Sequence, residues 1–229
     1  MDDPTTSFAD LSKVEATRYA LIRRLGYVFR HHLVGSMQPI NVMCQVINLK
    51  LKVSPLDALS VSESVNQASG SVRSSINSCL EVASWFAPDM HATIDVSVGV
   101  AECVSYLRSS FSFHGFALEN EESNLEIPVR KIALREVLTA VLIAGADHAQ
   151  GRSDIVVSVQ AISDTVEITM QIRAGKSGSK TDPEAYRVLV WDEVEGLAAS
   201  HEVGFRRLAE DLVKIRMSPS LETMGMPAT

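Results

Sequence analysis

A histidine stands in the middle of a long helical pattern, on the side turned away from the apolar stripe. The segment reads Arg30-His31-His32-Leu33-Val34-Gly35-Ser36-Met37-Gln38-Pro39-Ile40-Asn41. Around it Ile22, Leu25, Phe29, Leu33, Met37, Ile40, Cys44 and Ile47 recur in steps of three and four. That is the period of one helical face. At about 100° per residue, His31 falls roughly 170° from the centre of this stripe and His32 roughly 90° from it. An exposed imidazole on a rigid helix can accept and return a phosphoryl group, because its unprotonated ring nitrogen is a nucleophile. A half-buried imidazole packs and makes a hydrogen bond. His31 is therefore the candidate acceptor, and His32 is expected at the flank of the core. Arg24, Tyr27, Val34, Gly35 and Gln38 share the His31 side by helical spacing. They are the expected docking strip for a partner, with Arg24 as a rim charge that steers association.

Other residues of chemical interest lack a working arrangement. His91, His114, His148 and His201 are scattered, and Cys44, Cys79 and Cys103 have no metal-ligand spacing. No metal site is expected. Gly175-Lys176-Ser177-Gly178-Ser179-Lys180 lacks the spacing of a phosphate loop and reads as a polar loop extending to Pro183.

Two long helices must carry the histidine. The first runs from about Val14 to Lys52, with Pro39 removing one backbone hydrogen bond and clashing with the Gly35 carbonyl, which predicts a kink. Val53-Ser54-Pro55 makes the turn. The second helix keeps Val61, Val65, Ala68, Val72, Ile76, Cys79, Ala83 and Phe86 on one face, with serines elsewhere. One apolar stripe on each of two short-connected helices predicts an antiparallel hairpin, which buries too little alone. A second copy would complete a four-helix bundle, so a homodimer is expected.

After Trp85-Phe86-Ala87-Pro88 the pattern changes. Helices are expected over 98–113 and 132–149, and a strand over 116–121. A β-hairpin is expected over 154–161 and 165–173, turning at Ser163-Asp164. A final helix over 202–215 and a possible edge strand complete the reading. The fold class is α+β: a polar tail (1–13), a dimerising helical hairpin (14–88), and an α/β sandwich (89–229).

The chain has 229 residues, 46% of them hydrophobic, enough for a real core. A net charge of −7 argues against nucleic acid as the main partner. The odd number of cysteines and the absence of a signal-peptide pattern lead to an expectation of free thiols in the cytoplasm. The longest apolar run, Val137 to Ala146, is too short to cross a bilayer.

A helical hairpin bearing such a histidine, followed by this α/β order, resembles the dimerisation and ATPase modules of sensor histidine kinases. It is more similar to the alphaproteobacterial histidine phosphotransferases built from the same two modules. Their segment has the form His-Asp-Leu-(Val/Ile)-Ser-Pro-Val-Gly-Ala-Ile-Asn. Here His31, Leu33, Ile40, Asn41 and Val34 match it without gaps. The acidic residue that follows the acceptor in kinases, and helps deprotonate it, is here His32.

The resemblance also implies a degenerate ATPase domain. The kinase helix Val-Leu-x-Asn-Leu-Leu-x-Asn-Ala-x-Lys-His aligns with 137–148. Both asparagine positions are alanine, Ala140 and Ala144, and the lysine position is Asp147. The adenine-binding aspartate aligns with Arg173, which has no acceptor to offer. The last glycine box aligns with Glu202-Val203-Gly204-Phe205, where Glu202 places charge against phosphate. What the resemblance implies is a phosphorelay histidine phosphotransferase with no cofactor and no ATP. It would pass phosphate between response-regulator receiver domains, and a hybrid histidine kinase is a further candidate partner. Two alternatives remain open here: a non-catalytic pseudo-kinase dimer that binds regulators or kinases, and a sensorless ATP-dependent histidine kinase.

Overall fold

The computed structural model describes residues 8–175 and 186–220. In chain order its elements are α1 (Phe8–Lys50), α2 (Ala58–Phe86), β1 (Thr93–Asp95), α3 (Val96–Phe113), β2 (Phe116–Asn120), β3 (Pro128–Arg130), α4 (Lys131–His148), β4 (Ser153–Ile162), β5 (Thr165–Ala174), α5 (Trp191–Ser200), β6 (Gly204–Ala209) and β7 (Leu212–Met217). The fold is α+β, with an N-terminal helical hairpin and then a mixed sheet with helices. Two compact units divide it: Gly26–Pro88, and Met1–Leu25 together with Asp89–Thr229.

This division differs from the boundaries expected from sequence. α1 is helical from Phe8, so the polar tail does not extend to residue 13. Its first turns, through Leu25, cluster with the α/β unit. The physical reason lies in Thr17, Leu21 and Leu25, which recur every four residues and are buried, and in two arginines that pair with α4, described below.

In the hairpin unit, α1 continues through Pro39 to Lys50, so the proline does not end the helix. Asp57 starts α2 by accepting a hydrogen bond from the Ser60 N–H at 3.1 Å. The seam between the helices is polar and close. Ser75 Oγ donates to the Ser36 carbonyl at 2.7 Å, and Lys50 Nζ donates to Ser64 Oγ at 2.8 Å. Phe29 meets the rings of Trp85 and Phe86, both at 5.5 Å. Several stripe positions remain open: Met37 is 49% exposed and Ile76 53%.

In the α/β unit the large sheet has the order β2-β4-β5-β7-β6, and the small one pairs β1 with β3. β2 runs parallel to β4, and the other pairs are antiparallel. Val166, Ile168 and Met170 of β5, and Val213, Ile215 and Met217 of β7, are buried in period two. α4 is buried along almost its whole length. α3 approaches it so closely that a side chain on Gly99 would run into Leu134. The β4–β5 hairpin turns at Ser163-Asp164, with Ser163 at φ +50°.

The expected final helix over 202–215 is replaced by two strands, β6 and β7, with α5 ahead of them. Val213, Ile215 and Met217 face inward while Lys214 and Arg216 face away, an alternation that a short apolar run conceals. Beyond Gly175, the expected polar loop lies outside the described residues.

Candidate functional site

His31 lies on the α1 portion of the hairpin unit and is exposed. The side chains at its helical spacing leave room for a large partner. Val34 is 54% exposed, Gln38 is exposed, and a Cβ placed on Gly35 would meet nothing within 4 Å. Tyr27 is also exposed, with the Arg30 guanidinium 5.3 Å from its ring centroid. His32 is exposed as well, which corrects its expected place beside the core. The apolar stripe is only partly covered, so a residue at its edge stays in solvent. Burial therefore does not separate the two histidines.

Arg24 is not a rim charge. Its NH2 meets Asp147 Oδ1 at 2.7 Å and its NH1 meets Oδ2 at 3.1 Å, a bidentate pair whose side chains are 13% and 4% exposed. NH1 also reaches the Arg187 carbonyl at 3.4 Å, and the guanidinium lies 5.7 Å from the Tyr186 ring centroid. Spacing put Arg24 and His31 on one side of the helix. That side meets α4 at Arg24 and solvent at His31, a difference that periodicity alone does not carry.

On α4, the two positions where a kinase would carry asparagine, Ala140 and Ala144, are completely buried. Asp147 has a further partner. Besides Arg24, its Oδ2 accepts the Leu189 N–H at 3.0 Å, just ahead of α5. The adjacent Val190 N–H donates to Glu193 Oε2 at 3.2 Å. The start of a helix offers N–H groups and a positive dipole end to an anion. At α5 the N-cap N–H of Val190 goes to the chain's own Glu193, and the Leu189 N–H just before it goes to Asp147.

A second cluster lies along the same helix. Glu136 Oε2 accepts from Arg18 Nε at 2.9 Å and lies 2.7 Å from His201 Nε2. Burial alone would raise the carboxyl's pKa, but the hydrogen bonds from His201 and Arg18 outweigh it and hold the group below its ordinary value. Arg130 donates to the His201 carbonyl. His201 is thus a buried structural histidine.

Arg173 lies exposed at the end of β5 and donates to Gln171 Oε1 at 3.0 and 3.3 Å. Glu202 has φ +58° in the turn after α5 and lies 3.8 Å from Arg130. It closes a helix, whereas its alignment to the glycine box put it at the start of one. The helix here opens at Trp191, with Val190 as its N-cap. Sequence reading flagged Asp147 as a charge reversal but missed its partners, since Arg24 lies 123 positions away.

The remaining histidines and cysteines are structural or isolated. His114 Nδ1 and His148 Nδ1 lie 2.7 and 2.8 Å from carbonyls one turn back. Cys44 is exposed and Cys79 half-buried. Burial pushes the Cys103 thiol up to about 12. Among the described residues, no group of three His, Cys, Asp or Glu could hold a metal, and no helix is long and apolar enough to cross a membrane.

No family model matches the chain, and no curated protein matches it. Among solved structures it is similar to the histidine kinase AdeS of Acinetobacter baumannii, at 11% identity and a TM-score of 0.43, over 80% of this chain and 96% of that one. It is also similar to a histidine kinase of Burkholderia phymatum STM815, at 14% identity and a TM-score of 0.44, over 94% of this chain and all of that one. A third is the catalytic domain of the histidine kinase ThkA, at 9% identity and a TM-score of 0.41, over 56% of this chain and 94% of that one. Likeness at this level assigns no activity, and the functional reading rests on the residues above.

Proposed function

We propose that the chain is a phosphorelay histidine phosphotransferase. His31 accepts phosphate from the phospho-aspartate of a response-regulator receiver and returns it to another, without ATP. The observation that carries this reading is the open surroundings of His31, an exposed imidazole on a long helix beside Val34 and Gly35. In the reaction the unprotonated imidazole nitrogen attacks phosphorus, an N–P bond forms, and the P–O bond to the aspartyl group breaks. The bonding pair leaves with the carboxylate, and the second ring nitrogen keeps its proton. This asks little of the protein beyond position and access. The receiver's own metal ion and lysine neutralise the transferring charge.

The engaged carboxylates support transfer without nucleotide. Glu193 takes the N-cap N–H of α5 and Asp147 the N–H just before it, so carboxylates already stand where an anion would approach this helix end. The exposed Met37, Val72 and Ile76 support assembly of two hairpins into a four-helix bundle.

The test is incubation with receivers phosphorylated by a small acyl phosphate. Acid-labile label should appear on the wild-type chain and on His32→Ala, and vanish from His31→Ala. Label on His31→Ala would overturn the assignment of the acceptor. Tight receiver binding with no label at all would replace transfer by sequestration.

A further inference from the structure

The two edges of the large sheet are finished differently. β6 carries a register break between Arg207 and Ala209 and exposes Arg206 and Arg207. Bulges and charges of this kind keep an edge from pairing with another chain. β2 carries neither a break nor a proline, and among the described residues no strand lies on its outer side. Instead a groove of about 520 Å³ runs between β2 and the end of α3, lined by Arg108, Ser112 and Phe116 through Asn120. That volume falls in the range of binding clefts.

Three observations describe what the groove would hold. Alternate backbone groups of an edge strand face outward, and there the Leu118 carbonyl accepts a hydrogen bond from Arg108 Nε at 3.3 Å. Asn120, which lines the groove, has its Oδ1 buried beneath the surface with no hydrogen-bond partner among the described residues. Glu119 is exposed in the groove lining and Glu121 and Glu122 are exposed just past the end of β2, while Arg108 is the basic residue of that lining. A groove between an edge strand and a helix is the geometry of recognition by strand addition. Opposite charges facing each other across paired strands favour such pairing.

We infer that the β2 edge and α3 form a strand-addition groove for an extended, basic peptide segment of a partner protein. The peptide backbone would pair with the outward groups of Leu118 and Asn120, and its Lys or Arg side chains would face Glu119.

The experiment uses the full chain and three labelled heptapeptides: Thr-Val-Lys-Val-Lys-Val-Thr, the same peptide with alternate amides N-methylated, and the version with Glu in place of Lys. Fluorescence anisotropy should show the basic peptide binding at least about tenfold tighter than either control. Amide exchange should slow at Leu118 and Asn120. Glu119→Lys should weaken binding about tenfold, and Ser112→Trp should block the groove, with circular dichroism unchanged for both exposed positions. No binding at about 1 mM peptide, equal binding of the N-methylated peptide, or preference for the acidic one would overturn the inference. So would a change in oligomeric state on Ser112→Trp, which would give the edge to a second copy of the chain.

Discussion

The helix segment around His31 and the Glu136–Asp147 side of α4 carry similar residue types to opposite ends. Around His31, Tyr27, Val34 and Gln38 are exposed, and a Cβ on Gly35 would meet only open space. Along α4, both carboxylates have partners within the chain: Glu136 with Arg18 and His201, Asp147 with Arg24 and the Leu189 N–H. A surface whose charges are satisfied within the chain has little left for a charged ligand. A surface that leaves an imidazole in solvent beside small and apolar neighbours can still receive one. The difference places the proposed chemistry on the hairpin and a structural role on α4.

The largest expected effect tests the open region. His31→Ala should remove transfer of label from a phosphorylated receiver completely while the circular dichroism spectrum stays that of wild type. A labelled His31→Ala protein would dissolve the contrast at its centre.

Asp147→Ala tests the satisfied region. It leaves Arg24 without its carboxylate in a site where the arginine is 13% exposed, and should cost about 3 kcal/mol or more, the range for removing one partner of a buried pair. Thermal or urea unfolding measures it. An Asp147→Ala protein of wild-type stability would mean that the pair contributes nothing net.

Val34→Glu sharpens the open side. A charge at a position 54% exposed should leave folding intact and slow transfer from a receiver at least about tenfold, or 1.4 kcal/mol in the barrier. Full-speed transfer would move the docking strip elsewhere on the hairpin. Ile76→Asp addresses the remaining apolar face. Light scattering should change from about twice 24.9 kDa for the wild type to one chain, and a wild-type monomer at micromolar concentration would refute the bundle.

The smallest effect is in acid. Hydrogen bonds from Lys214, Arg216 and Gln160 hold the Glu167 carboxyl at about 2, against burial that would raise it, from an ordinary value of 4.5. A carboxyl depressed in the folded state contributes stability that is complete above pH 4.5 and is lost as pH falls toward 2. Glu136 acts in the same direction, with its pKa also lowered. Glu167→Gln should therefore lower stability at pH 7 and flatten its decline below pH 4.5, read by urea midpoints across pH.

Most of the element pattern was legible. Helical stripes located α1 and α2, alternation located β4 and β5, and the 98–113 and 132–149 helices fall within two residues of α3 and α4. The last strands were not legible, because Val213, Ile215 and Met217 fit a helical reading as well as an alternating one until the sheet supplies a neighbour. Nor was the start of α5, since the expected helix was placed at Glu202, two residues beyond where α5 ends.

At the candidate site, the residues themselves were readable: an imidazole on the far side of an apolar stripe, and alanines and an aspartate in place of groups that serve a nucleotide. Periodicity is a local property and needs only the neighbours along one helix. The fate of each charge was decided by tertiary structure. Arg24 and His31 share one side of α1, yet Arg24 is paired with Asp147 and His31 is open to solvent. Which of two equivalent positions is covered depends on a segment more than a hundred residues away, and no spacing within the helix carries that information.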